Sequence, residues 1–250
     1  MSTLLDKLVR DFNFTVEDQA SFLLPSPLGL VPVVTSLVVI GDSAADVSLY
    51  CGGTRASLNV DCTNANSDVT FRSLRGGDSG EGINIAYLDP SANDEPLSVA
   101  VTVNATPATG GYDIDIDITL STNGSGTIIA TGQDIIDLIN GTAATRIYVE
   151  AYKSASNDGT GVVEAKVAAP LATGVPTLKF RDTQSAAFSK SYQWAPGGAK
   201  GDFGGDDVKA VISTIAAASE INCSGFWVPA ELQSSPLANS LTGPELMAFA

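Results

Sequence analysis

Residues Thr70 to Tyr152 read TFRSLRGGDSGEGINIAYLDPSANDEPLSVAVTVNATPATGGYDIDIDITLSTNGSGTIIATGQDIIDLINGTAATRIYVEAY. The pattern in this stretch decides the fold class. Val69 to Leu74, Ile83 to Tyr87, Leu97 to Val103 and Tyr112 to Leu120 are short runs rich in β-branched and aromatic residues, divided by Gly, Asp and Asn turns. Such runs read as strands. Ile83, Ile85 and Tyr87 alternate with Asn84 and Ala86, and Ile114, Ile116 and Ile118 alternate with Asp113, Asp115 and Asp117. A period of two puts each set on one face of a pleated strand. Ala130 to Asn140 then reads as a helix, with Ile135, Ile136, Leu138 and Ile139 on its apolar face. Thr131 is placed to cap it, Asp134 stands where a capping box wants an acceptor, and Gly141 stands where a C-terminal glycine belongs. Alternation, in place of continuous apolar runs, favours an antiparallel or mixed sheet. The expected class is α+β, mainly β: a β-sandwich-like domain with one packed helix, flanked by extended terminal arms.

Outward from this stretch, Leu30 to Ile40 reads as a strand, and Val47 to Cys51 and Ala56 to Val60 as two more, separated by Gly52 and Gly53. Arg75 to Gly82 reads as a long flexible turn, and Arg146 to Tyr152 and Thr160 to Val167 return to β. Ser2 to Phe12 has helical spacing, with Leu4, Leu5, Leu8 and Phe12 on one side, until Pro25 and Pro27 stop any helix. A helix this short is marginal alone, so it needs a surface to dock on. It is expected to be an arm whose removal leaves the middle folded. Past Pro170 the chain becomes Gly-, Ser- and Pro-rich, with a short strand at Thr177 to Arg181 and a possible final strand at Cys223 to Val228. Asp206 to Ser219 reads as a second helix, capped by Asp206, with Val208, Val211, Ile212 and Ile215 inward. Pro229 to Ala250 reads as a surface-lying tail. The expected division is 1–45 (helix and arm), 46–170 (β-rich core) and 171–250 (loop-rich, with one helix and the tail).

Composition narrows the function. Of 250 residues, 44% are hydrophobic and 16% charged, too apolar for a disordered chain. The net charge of −15 argues against wrapping nucleic acid, which needs cations for its phosphates, and against an anionic membrane surface. Leu28 to Ile40 contains Pro32 and is too short to span a bilayer, and MSTLLDKLVRDFNF lacks the pattern of a signal peptide. Synthesis in a bacterial cytoplasm is expected. Cys51, Cys62 and Cys223 form no metal motif. Cys51 and Cys62 could pair across a hairpin, with reduced thiols the favoured alternative.

No histidine occurs in the chain. Gly77-Asp78-Ser79-Gly80 resembles the nucleophile turn of trypsin-like proteases, and Gly41-Asp42-Ser43 the start of GDS-type esterases. Both need a histidine to take the serine proton, so neither mechanism can run. Asp113, Asp115 and Asp117 are a weak calcium candidate, because ligands roughly 6–7 Å apart along a strand are too spread for one ion. The alternative is a solvated face whose like charges discourage edge pairing. Trp194 and Trp227 could stack on sugar rings, but anchoring an interface or the core is the favoured reading. Leu4, Leu5, Leu8, Phe12, Trp194, Trp227, Leu246 and Phe249 are the expected interface residues. No cofactor is expected.

From Val69-Thr70-Phe71 through Gly76 to Gly80, Ile83 to Pro90, Leu97 to Val101, Ile116 to Leu120, Gly126 to Thr131 and the helix from Asp134 to Asn140, the order of features resembles a recurring β-rich module of tailed-bacteriophage virion proteins. The resemblance covers about a third of the chain and brings no catalytic residues. It implies a non-enzymatic structural protein of the virion, foremost a capsid decoration or cement protein. Its partners would be the major capsid protein, other virion subunits and further copies of itself. A tail or head–tail connector protein is the close alternative, and a host-glycan-binding module the second.

Overall fold

The computed structural model describes residues 10–25, 27, 29–105, 107, 110–194, 198–201, 206–213 and 219–229. Fifteen strands in three sheets, one α-helix and one 3-10 turn make up this part. The mainly β, sandwich-like α+β class read from the alternation is what forms.

The first sheet runs β1 (Arg10–Glu17), β15 (Glu220–Pro229), β3 (Leu30–Gly41), β12 (Phe188–Gln193), with β13 (Ala199–Lys200) also on β3. The second runs β10 (Lys166–Pro170), β6 (Ile83–Leu88), β8 (Ile114–Thr119), β7 (Ser98–Val103). Here β6 and β8 are parallel and the other neighbours antiparallel. The third runs β2 (Ser21–Leu24), β14 (Val208–Ile212), β4 (Ala45–Val60), β5 (Val69–Gly76), β9 (Val149–Lys153), with β11 (Val175–Gln184) also on β4.

Two apolar cores result. One gathers Leu37, Leu49, Val208, Ile212, Ile221, Phe12 and Trp227 from the chain's two ends and the first half of β4. The other gathers Phe71, Ile83, Ile85, Ile114, Ile116, Ile118 and Ile135 from the quoted stretch. The isoleucines of β6 and β8 are fully or almost fully buried, each contributing about 1.5–3 kcal/mol of transfer free energy. Strand β4 joins the cores: Cys51 belongs to the first, Ala56 and Val60 to the second.

The two strands expected on either side of Gly52-Gly53 are thus one strand. Gly52 (φ 65°) and Gly53 (φ 143°) bend it without ending it. A Cβ on Gly53 would lie 1.9 Å from the Val175 carbonyl oxygen. The pairing of β11 with β4 slips just past this point.

The helix α1 (Gly132–Gly141) has the expected capping box. The Asp134 N–H donates to Thr131 Oγ1 at 3.3 Å, and the Thr131 N–H donates to Asp134 Oδ2 at 2.8 Å. Gly141, expected beyond the helix, is its last residue, and the Thr142 N–H closes the end on the Leu138 carbonyl. Asn140 then exchanges two side-chain hydrogen bonds with the Ala151 backbone, tying α1 to β9.

The helix expected over Asp206 to Ser219 is corrected. Residues 208–212 are strand β14, wedged between β2 and β4, and Val208, Ala210 and Ile212 alternate inward. Residues 214–218 lie outside the described part. The N-terminal helix is likewise corrected where it can be seen. Arg10–Glu17 is a strand paired along its whole length with β15, because Phe12 and Val16 bury one face. Leu4, Leu5 and Leu8 lie outside the described residues. The described parts of 1–45 and 171–250, expected to be arm and loop-rich region, hold eight strands apart from β4, and most of them pair with one another. The turn expected at Arg75 to Gly82 is the end of β5 followed by the 3-10 turn Asp78–Gly82. Cys51, Cys62 and Cys223 form no disulfide, so Cys51 and Cys62 do not pair.

Candidate functional site

Asp113, just before β8, and Asp115 and Asp117 within it share a face, as their spacing requires, but asparagine amides occupy Asp113 and Asp115. Asn104 Nδ2 donates to Asp115 Oδ2 at 2.9 Å and to Asp113 Oδ1 at 3.1 Å, and Asn84 Nδ2 donates to Asp115 Oδ1 at 2.9 Å. The Asn104 amide first, then that of Asn84, holds the Asp115 carboxyl below its ordinary range. Donors aimed at these oxygens stand where a cation would have to bind. Among the described residues no group of three or more His, Cys, Asp or Glu side chains could hold a metal ion. The calcium candidate is therefore withdrawn. Nor do these charges guard an edge, since β8 lies between β6 and β7.

The expected interface residues part company. Phe12 and Trp227 are buried, their ring centroids 4.7 Å apart, and they close the first core. They are packing residues, and Trp227 has no free face for a sugar ring. Trp194 is half-buried, edge-on to Phe180 at 5.6 Å. Leu246 and Phe249 lie outside the described residues.

Gly77-Asp78-Ser79-Gly80 is part of a structural staple. The Ser79 N–H donates to Asp207 Oδ2 at 2.9 Å, the Asp207 N–H donates to the Gly76 carbonyl at 3.2 Å, and the Gly52 N–H donates to the Asp207 carbonyl at 2.9 Å. One aspartate thereby fastens the bend of β4 to the end of β5 and the 3-10 turn. The glycines make room for it: a Cβ on Gly77 would sit 2.1 Å from Asp207 Oδ1, and one on Gly52 would sit 2.2 Å from Asp206 Oδ2. Ser79 is 1% exposed, so its hydroxyl meets no substrate. Asp207 is fully buried, and no hydrogen bond of normal length reaches its Oδ1. Burial pushes its carboxyl up to about 7, against the Ser79 hydrogen bonds and with help from the charges of Asp78 and Asp206. Lys209 pairs with Asp78 beside it.

Two surface features remain. A cleft of about 220 Å³ with mostly apolar walls lies between β4, β6 and β10, lined by Leu58, Val60, Ile85, Tyr87, Val167 and Ala169 among others. The Tyr87 hydroxyl is buried without a hydrogen-bond partner, and burial raises its pKa well above the ordinary value. The second feature is the free edge of β7, where no described strand pairs. Sequence reasoning missed Asp207, Tyr87 and this edge. The signals were the Asp206-Asp207 pair among glycines and the complete lack of charge in Ser98–Val103.

No family model matches the chain, and no curated protein or solved structure matches it either. No helix among the described residues is long and apolar enough to cross a membrane.

Proposed function

We propose that this chain is a non-enzymatic structural subunit of a tailed-phage particle, foremost a capsid decoration or cement protein that joins neighbouring capsid subunits. Exposed aliphatic side chains carry this reading. Val167 is 90% exposed at the bulge of β10, and Val103, Val175 and Leu178 stand out from strands elsewhere. Single exposed apolar residues are ordinary, but several of them on a surface poor in charge suit one that other subunits cover. The cleft beside Val167 is the right size for an apolar side chain from a neighbour. The acidic balance suits a protein that lies near packaged DNA without adhering to it. The burial of Ser79 and the asparagine amides on Asp113 and Asp115 fit a non-enzymatic reading.

Mass spectrometry of purified particles, with heads separated from tails, tests the proposal. Recovery on heads at a fixed ratio to the major capsid protein is expected. Recovery on tails alone would replace the cement role with the tail or connector role. Absence from both would overturn the structural role.

A further inference from the structure

We propose that the free edge of β7 pairs with the same edge of a second copy, antiparallel about a two-fold axis at Val101. This rests on the structural role proposed above and names a surface through which copies meet.

Strand edges are hazards that proteins blunt with charge, proline, bulges or covering segments. Among the described residues every other edge here is blunted. Strand β1 carries Asp11 and Glu17, β9 carries Glu150 and Lys153, β12 carries Lys190 and β13 carries Lys200. Strand β10 has a bulge, Lys166 and Pro170, and β11 has Pro176, Lys179, Arg181 and Asp182. The four-residue β2 is covered, since the Gly111 N–H donates to the Leu23 carbonyl at 2.8 Å. Only β7, Ser-Val-Ala-Val-Thr-Val, has no charge, proline or bulge of its own, with α1 packed against it.

Its ladder fixes which groups are free. The Asn104 N–H donates to the Asp113 carbonyl at 2.8 Å, and the register pairs Thr102 with Asp115, Ala100 with Asp117 and Ser98 with Thr119. Alternation in an antiparallel ladder then turns the N–H and C=O groups of Val99, Val101 and Val103 away from β8. These groups are symmetric about Val101. A second copy running the other way satisfies them all, Val101 against Val101 and Val99 against Val103. That pairing covers Val103, which is 62% exposed, with a valine.

Charge selects the direction. Asp94 and Glu95 lie just before β7, whereas residues 104–112 after it carry no charge. Antiparallel pairing sets the acidic end of one copy against the neutral end of the other. Parallel pairing would stack acid on acid in a chain that already carries −15. An uncharged edge is where two such copies can approach. Six residues a side is a small contact, so a dissociation constant on the order of 0.1–1 mM is expected for the free protein. Held side by side in an assembly, copies reach effective concentrations of about millimolar, enough to close the pair.

Sedimentation of the full chain from about 10 µM to 1 mM, with amide exchange followed by NMR, tests the pairing. The wild type should move toward dimer across this range, with the Val99, Val101 and Val103 amides exchanging several-fold more slowly at the top. The comparison is Ala100→Lys with Thr102→Lys, whose new charges face Asp117 and Asp115 of their own chain, so the fold is kept. This variant should stay monomeric with an unchanged melting temperature. A wild type that remains monomeric at 1 mM, or a variant that dimerises equally well, overturns the pairing. Recovery from purified particles separates the two proposals. A chain bound to particles yet monomeric at 1 mM loses the β7 pairing and keeps the structural role. A chain that dimerises through β7 but never joins particles keeps the pairing and loses the role.

Discussion

The backbone N–H of Ser79 donates to Oδ2 of Asp207 at 2.9 Å, and the other carboxylate oxygen is sealed in the protein with no hydrogen bond of normal length. This contact holds three segments together, yet it places a carboxyl where its charge is poorly solvated.

Stability should therefore carry an unusual pH signature. The folded pKa of Asp207, about 7, lies above its unfolded value near 3.8. Its contribution to stability is fully present below about pH 4, is lost as pH rises through 7, and then levels off. A shift of this size sets an upper bound of roughly 4 kcal/mol. Asp207→Asn keeps the acceptor for Ser79 and removes the charge. Urea unfolding of both proteins should give a variant relatively more stable at pH 8 than at pH 5. The same difference at both values would show that the Asp207 carboxyl is already ionised in the fold at pH 5 and that its pKa is not raised.

The N-terminal strand is expected to be integral to the fold. Phe12 lies against Trp227, and β1 pairs along its whole length with β15. Truncating a buried aromatic costs about 3–5 kcal/mol, so Phe12→Ala should lower the melting temperature by roughly 10 °C. Deleting residues 1–24 removes β1 and β2 outright and should abolish the cooperative transition. Calorimetry that finds the truncated chain melting like the full one would return this segment to the status of an arm.

What could be read in the sequence was local. The Ile-Asp alternation of β8 and the Thr131–Asp134 capping box carry their own geometry, and both form as read. What could not be read depends on partners far along the chain. Phe12, Phe14 and Val16 alternate, but Leu4, Leu5, Leu8 and Phe12 also match a helix, and only pairing with β15, about 200 residues away, decides for the strand. Val208, Val211 and Ile212 fit a helical spacing as well as Val208, Ala210 and Ile212 fit a strand. A slot between β2 and β4 settles it. Candidate sites followed the same rule. The face of the β8 aspartates was legible, but that β7 and not β8 forms the edge is a property of strand order.

The helix cap offers a small, well-defined test. Thr131 and Asp134 satisfy one another's backbone N–H groups at the start of α1. Thr131→Ala should cost about 1 kcal/mol, and Asp134→Ala a similar amount, since each leaves a helix-end donor without its partner. Both losses come from one motif, so the double variant should cost less than the sum. Chemical denaturation of the two single variants and the double variant checks this. Strictly additive losses would mean that the two residues do not act as a box.

The bend in β4 links the two cores and should be intolerant of a side chain. Gly53 has a φ of 143°, which L residues rarely adopt, and a Cβ there would meet backbone atoms of Val175 and Pro176, not the flexible end of a side chain. Backbone must therefore move, and it belongs to β11, whose pairing holds the first half of β4. Gly53→Ala should destabilise the protein by roughly 3 kcal/mol or more, combining steric displacement with the strained φ. Gly141 is the control: it lies at the end of α1 without a left-handed φ, and its Cβ would meet nothing within 4 Å. Gly141→Ala should be neutral or slightly stabilising, as alanine is the better helix former. Thermal melts of the two variants side by side decide the matter. Equal melting temperatures would mean that the bend yields easily and that β4 does not couple the cores through Gly53.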